Sequence, residues 1–232
     1  MSKNNITANQ SEKWKLLYKV AGIASIAMLI IMVIQIIIYV VWPPPETSIE
    51  FFNLFQSNWF LGLLSLDLLY IFNNAILVLI YLALYFSLRE VNETAMLIGL
   101  VLGLVGITAY FASNMSFEML NLSNLYPLST SESYQTSLLA AGGALLAIYR
   151  GTAFNVYYVL NAVTLLIFSL VMYRSKNFSK TPAIIGLISG VLMSIPSTAG
   201  TIGLIFSLAS LIPWALFLVL ISRKFFKFSK KE

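Results

Sequence analysis

The chain carries several uninterrupted apolar runs of 18 or more residues, and no other feature limits its fold so much. A run of that length with few charges is what a helix needs to cross ~30 Å of hydrocarbon, about 20 residues in all. Composition agrees: 59% of the residues are hydrophobic and only 10% are charged, against about 25% charged in soluble domains. A membrane barrel would show shorter segments of alternating hydrophobicity instead. The expected fold class is all-α, a polytopic membrane protein.

Cysteine and histidine are both absent. Disulfides, thiol nucleophiles, imidazole bases and the usual zinc and haem ligand sets go with them, so neither a metal nor a cofactor is expected. The net charge of +5 does not point to nucleic acid, because the basic residues stand at the ends of apolar runs and not along a groove-lining face. They are topology signals, and the partner they imply is membrane lipid.

The periodicity and the breakers predict six spans in a single domain over residues 1–232, at about 17–41, 59–88, 95–120, 152–173, 181–196 and 202–222. Met1–Glu12 reads as a polar, disordered lead. The first run is too long for a signal-peptide core and has no small-residue cleavage site, so it is expected to be retained as a span. Trp42-Pro-Pro-Pro stops it, since proline lacks the amide donor and disfavours helix in the residue before it. Thr47-Ser-Ile-Glu50 fits a capping box and opens a short outer helix over about 48–57. Gly99, Gly103 and Gly106 form a small-residue strip, and Gly186 with Gly190 repeat the four-residue spacing, which lets helices approach closely. The tail Arg223–Lys231 is basic and aromatic, suited to an anionic inner leaflet.

A further helix is predicted over about 131–149. Counting Lys and Arg on each side decides whether it spans. Six spans place thirteen of the fourteen basic residues inside and only Arg150 outside. A seventh span would leave six inside and eight outside. The helix at 131–149 is therefore expected on the outer side, both termini in the cytoplasm, and the protein in the plasma membrane.

Polar residues crowd one depth. Counted from the inner anchors at ~1.5 Å per residue, Gln35, Asp67, Asn74, Asn114, Glu118, Arg150, Asn155 and Asn161 lie roughly 20–37 Å away, in the outer half. Asp67 and Asn74 are seven apart, Asn114 and Glu118 four apart, and Tyr157 and Asn161 four apart, so each pair would share a helix face. An ionisable group in hydrocarbon is costly and marks a functional site by default. The candidate ligand-binding residues are Asp67, Asn73, Asn74, Asn114, Glu118, Arg150, Asn155, Tyr157 and Asn161.

Four readings stay open. In the plainest, Arg150 locks one of the two acids and the amides join helices. In the second, the cluster is an outward-facing site for a small polar or cationic ligand or a lipid headgroup. A proton-coupled transporter would need discontinuous helices near the midplane. An acid/base enzyme would need Asp67 and Glu118 with separated pKa values, and no catalytic residue is assigned.

Four stretches carry a resemblance. Gly62–Tyr70 with Asn73-Asn74, Gly106–Asn114 with Phe117–Leu120, Gly151-Thr-Ala-Phe with Tyr157–Asn161, and Ile195–Gly203 resemble the bacterial multi-span membrane family known as the domain of unknown function DUF4386. The likeness runs from about Lys19 to Arg223. It implies a multi-span membrane protein of a bacterial plasma membrane and assigns no activity to any residue.

Overall fold

A computed structural model describes residues 14–230. The lead Met1–Glu12, with Lys3 in it, and the basic residues Lys13 and Lys231 lie outside the described residues. Among the described residues there are ten α-helices and one 3-10 turn, with no strand: α1 Lys15–Val41, α2 Ser48–Ser57, α3 Trp59–Ser65, α4 Leu68–Leu88, α5 Glu93–Ser113, α6 Ser116–Leu125, the 3-10 turn Tyr126–Leu128, α7 Glu132–Tyr149, α8 Thr152–Arg174, α9 Lys180–Leu192 and α10 Gly200–Ser229.

Five helical segments are long and apolar enough to cross a membrane: Lys15–Val41, Leu68–Leu88, Glu93–Leu128, Glu132–Arg174 and Gly200–Ser229. The segment expected at 181–196 is shorter. α9 stops at Leu192 after 13 residues, or ~20 Å, and Pro196 keeps Ile195 out of helical geometry. The segment expected at 202–222 is longer, because nothing in Arg223–Ser229 breaks a helix and α10 continues through it. The basic tail is thus largely helical.

Two expected spans are interrupted. The one at 59–88 breaks between α3 and α4, where Asp67 takes a left-handed φ of 64°. The one at 95–120 breaks between α5 and α6, where the Asn114 side-chain oxygen accepts from the Ser116 amide at 3.2 Å and the Ser116 hydroxyl at 2.6 Å. Asparagine and serine satisfy backbone donors locally, and that competes with helix continuation.

The chain divides into two compact units. Of the described residues, the first comprises 14–30, Asn74–Ile107 and 157–230, the second Ile31–Asn73 and Thr108–Val156. In the first unit Tyr18, Met28, Ile80, Leu84, Met96, Phe168, Phe217 and Phe225 form a continuous core. The glycine strip works there as its spacing suggests. A methyl group on Gly99 would stand 2.8 Å from the Phe168 ring, and one on Gly103 2.5 Å from the Tyr81 ring, so α5 can pack this closely only with hydrogen at those positions.

The second unit has its own core of Phe51, Phe52, Phe55, Leu63, Leu66, Met119, Leu138 and Leu146. α2 supplies the three phenylalanines and packs against α3, α6 and α7. Its N-terminus carries the predicted capping box: the Thr47 hydroxyl accepts from the Glu50 amide at 3.4 Å, and the Glu50 carboxylate accepts from the Glu46 and Thr47 amides at 3.0 and 3.1 Å.

Candidate functional site

The chemistry of the second unit gathers at the gap between α3 and α4. Ser65-Leu-Asp-Leu contains no glycine and no proline, yet the helix ends at Ser65 and restarts at Leu68. Aspartate tolerates the left-handed conformation better than most residues, and the surroundings supply what the interruption removes. Breaking a helix orphans carbonyls, which in an apolar setting must find donors. Gln35, on α1, donates its side-chain amide to the Leu64 carbonyl at 3.2 Å. Asn114 donates to the Leu66 carbonyl at 2.8 Å.

Asp67 itself is buried, 8% exposed. Its two carboxylate oxygens accept from two phenols, Tyr39 on Oδ1 and Tyr149 on Oδ2. Its carbonyl accepts from the Tyr70 and Ile71 amides, which starts α4, and from the Tyr110 hydroxyl at 3.5 Å. Gln35 and Tyr39 are four residues apart on α1, so one helix face delivers both the amide to Leu64 and the phenol to Asp67.

No ion pair reaches this carboxylate among the described residues. Arg150, expected as the counter-charge for Asp67 or Glu118, is exposed, and so is Glu118. Neither bonds to Asp67, and the anticipated lock is not formed. The residue one position earlier, Tyr149, reaches Asp67 in its place: it is the last residue of α7, whereas Arg150 is the C-cap beyond it.

Three buried polar atoms in this unit have no partner: the Gln35 side-chain carbonyl Oε1, the Ser65 hydroxyl and the Asn73 side-chain carbonyl Oδ1. Gln35, Ser65 and Asn73 are 1%, 3% and 7% exposed. Ser65 lies two residues before Asp67, and the Gln35 amide is tied to the carbonyl next to Ser65. An unpaired buried carbonyl or hydroxyl costs ~1–3 kcal/mol, and none of these three oxygens is answered among the described residues.

The other candidates are dispersed. Asn155 turns back on its own helix, donating to the Gly151 carbonyl at 3.0 Å. Asn74, Tyr157 and Asn161 belong to the first unit. There the Tyr81 hydroxyl donates to Asn161 Oδ1 at 2.6 Å, and Asn161 Nδ2 donates to the Tyr157 carbonyl at 2.9 Å. The seven-residue spacing of Asp67 and Asn74 does not define a shared face, because α4 begins only at Leu68. The gap therefore brings together Asp67 and Asn114 of the expected set and adds Gln35, Tyr39, Ser65, Tyr110 and Tyr149.

Residues 16–223, which include all of these groups, match the family described as Domain of unknown function (DUF4386). The chain belongs to that family. The likeness read from the four motifs is thereby borne out over nearly the same range, and the Asp67 gap lies inside the part of the chain that defines a DUF4386 protein. No curated protein and no solved structure matches it.

Tyrosines 39 and 149 were missed from the sequence. A signal existed: with histidine absent and a single arginine expected on the outer side, phenols were the remaining strong donors for a buried carboxylate.

Proposed function

We propose that this DUF4386 protein is a six-span plasma-membrane binding protein, with both termini cytoplasmic, whose Asp67 gap receives a cationic group from the outer side. One observation carries the reading: a buried carboxylate is held by two tyrosine hydroxyls, with no arginine or lysine paired to it among the described residues. Hydroxyls orient a carboxylate without neutralising it, and a ligand cation completes the charge. Three tyrosine hydroxyls reach Asp67, those of Tyr39 and Tyr149 at its carboxylate and that of Tyr110 at its carbonyl, and aromatic rings attract organic cations electrostatically.

Two experiments test this reading. Full-length protein in mild detergent is melted with ethanolamine, choline or guanidinium, with neutral ethylene glycol as control, at equal chloride concentration. At least one cation raises Tm, ethylene glycol does not, and Asp67→Asn removes the effect. Equal protection of Asp67→Asn rules the site out. For the topology, Ser133→Cys is labelled by an impermeant maleimide on intact cells, and labelling only after lysis overturns it.

A second reading, a proton-coupled carrier, is favoured by the two interrupted helices, since transporters bind at such interruptions. It predicts proton movement with substrate into vesicles. A binding protein shows none.

A further inference from the structure

Resting on the cation reading of the Asp67 gap, we infer that the group it takes is a primary ammonium, the R–NH3+ of a small amine or of an ethanolamine-type headgroup. The donor and acceptor count selects it. An ionised carboxylate offers about four acceptor positions. Tyr39 and Tyr149 use one on each oxygen of Asp67, which leaves acceptor capacity on both. Two buried oxygens near the same helix break have no partner among the described residues: Gln35 Oε1, whose amide nitrogen is bonded to the Leu64 carbonyl, and Ser65 Oγ, two residues before Asp67.

The orientation of the Gln35 amide is fixed by chemistry. Its nitrogen must face the Leu64 carbonyl, which can only accept, so the oxygen is the atom left over. Ser65 immediately follows Leu64. The gap thus presents one anionic acceptor, one amide oxygen that can only accept, and one hydroxyl that can accept or donate.

A primary ammonium brings one positive charge and three N–H donors, one for each of these positions. A quaternary ammonium brings the charge and no donor, and would leave both oxygens unsatisfied. A site built to hydrogen-bond N–H groups rejects an analogue lacking them strongly, because its own buried polar atoms then stay unpaired. A divalent metal is the weaker fit, since it is normally held by several carboxylates and the described residues contain no cluster of three metal-ligating side chains.

The test compares ethanolamine with choline on full-length protein in phosphatidylcholine nanodiscs, by calorimetric titration. Ethanolamine is expected to bind at least tenfold tighter. Gln35→Met and Ser65→Ala together are expected to shrink that ratio towards one, and the melting curve of the double variant confirms that it is folded. Protection by free ethanolamine in these nanodiscs identifies a small amine as the ligand; protection appearing only with added phosphatidylethanolamine identifies the headgroup. Either supports the inference. Equal affinities for ethanolamine and choline, both abolished by Asp67→Asn, overturn the primary-amine assignment and keep the cation reading. Sodium chloride protecting as well as ethanolamine hydrochloride also overturns it. No response to any cation overturns both.

Discussion

The two units treat buried polar groups in opposite ways. In the first, nearly every polar side chain is answered at short range or across one helix pair: Ser25 donates to the Ala21 carbonyl at 2.8 Å, Thr164 to the Gly99 carbonyl at 2.9 Å, Ser222 to the Gly22 carbonyl at 3.0 Å, and Tyr81 to Asn161. Among the buried serines and threonines described there, only the Ser169 hydroxyl, against Gly186, lacks a hydrogen-bond partner. None of these groups sits at a helix break. In the second unit the helices break twice, a carboxylate is buried, and three polar atoms stay unanswered. Satisfied polar groups join helices at modest gain, whereas unsatisfied ones are retained at a cost and mark sites. On the proposed function, the difference separates scaffold from site within one short chain.

The sharpest way to break this comparison is at Asp67. Valine there would meet a left-handed φ of 64° with a β-branched side chain and would strip acceptors from two phenols. Strain of ~1–3 kcal/mol and ~1–3 kcal/mol for each orphaned donor put Asp67→Val several kcal/mol below wild type. Asp67→Gly relieves the strain alone, and Asp67→Asn keeps the conformation and one acceptor. Melting temperatures should therefore rise from valine through glycine to asparagine. Valine and asparagine melting together would mean that neither the backbone conformation nor the phenols matter.

In the first unit the expected losses follow ordinary pair logic. Asn161→Leu leaves the buried Tyr81 hydroxyl unanswered at a cost of ~1–3 kcal/mol, and adding Tyr81→Phe should recover part of it, because an apolar pair replaces a hydrogen-bonded one. Strict additivity of the two losses in thermal melts would contradict the pairing seen at 2.6 Å.

A finer contrast lies between the two amides that cap the broken helix. Asn114→Ala removes the donor to the Leu66 carbonyl and the acceptor of Ser116, and about 1–2 kcal/mol is expected. Gln35→Met also removes a donor, from Leu64, but deletes an unanswered oxygen with it, so its net effect in ligand-free protein should stay within about 0.5 kcal/mol. Equal losses would show that Gln35 Oε1 is not an orphan.

How far the sequence carried the reading follows the same division. Helices α2, α7 and α8 lie within a residue or two of their expected limits, since a capping box, a Ser N-cap and a Gly-Thr start mark them locally. The interruption at Asp67 has no local mark. No glycine or proline stands there, and the break is stabilised by Gln35, Asn114, Tyr39 and Tyr149, which are 28 to 82 residues away along the chain. A continuous helix over 59–88 was the correct inference from nearest neighbours and the wrong one from the fold. Arg150 misled in the opposite direction: being the one cation expected on the outer side suggested a partner, whereas its place as C-cap of α7 leaves it exposed. Linear order shows which polar groups must be explained. It does not show which of two adjacent residues points inward.

The smallest expected effect tests the edge of the second unit, where α2 is capped in the open. Hydrogen bonds from the Glu46 amide, then from the Thr47 amide and hydroxyl, hold the exposed Glu50 carboxyl below the ordinary carboxylate range. A folded-state pKa lowered in this way contributes stability that is complete above the unfolded value, ~4.3 for glutamate, and is lost as pH falls through the folded value beneath it. Glu50→Gln keeps an acceptor but not the charge at the helix N-terminus. The gap in Tm between wild type and Glu50→Gln should therefore stay constant from pH 7 down to about 5 and close below pH ~4. A gap that widened on acidification would mean that protonated Glu50 is the better cap, and α2, with Phe51, Phe52 and Phe55 on its inner face, would owe its position to packing alone.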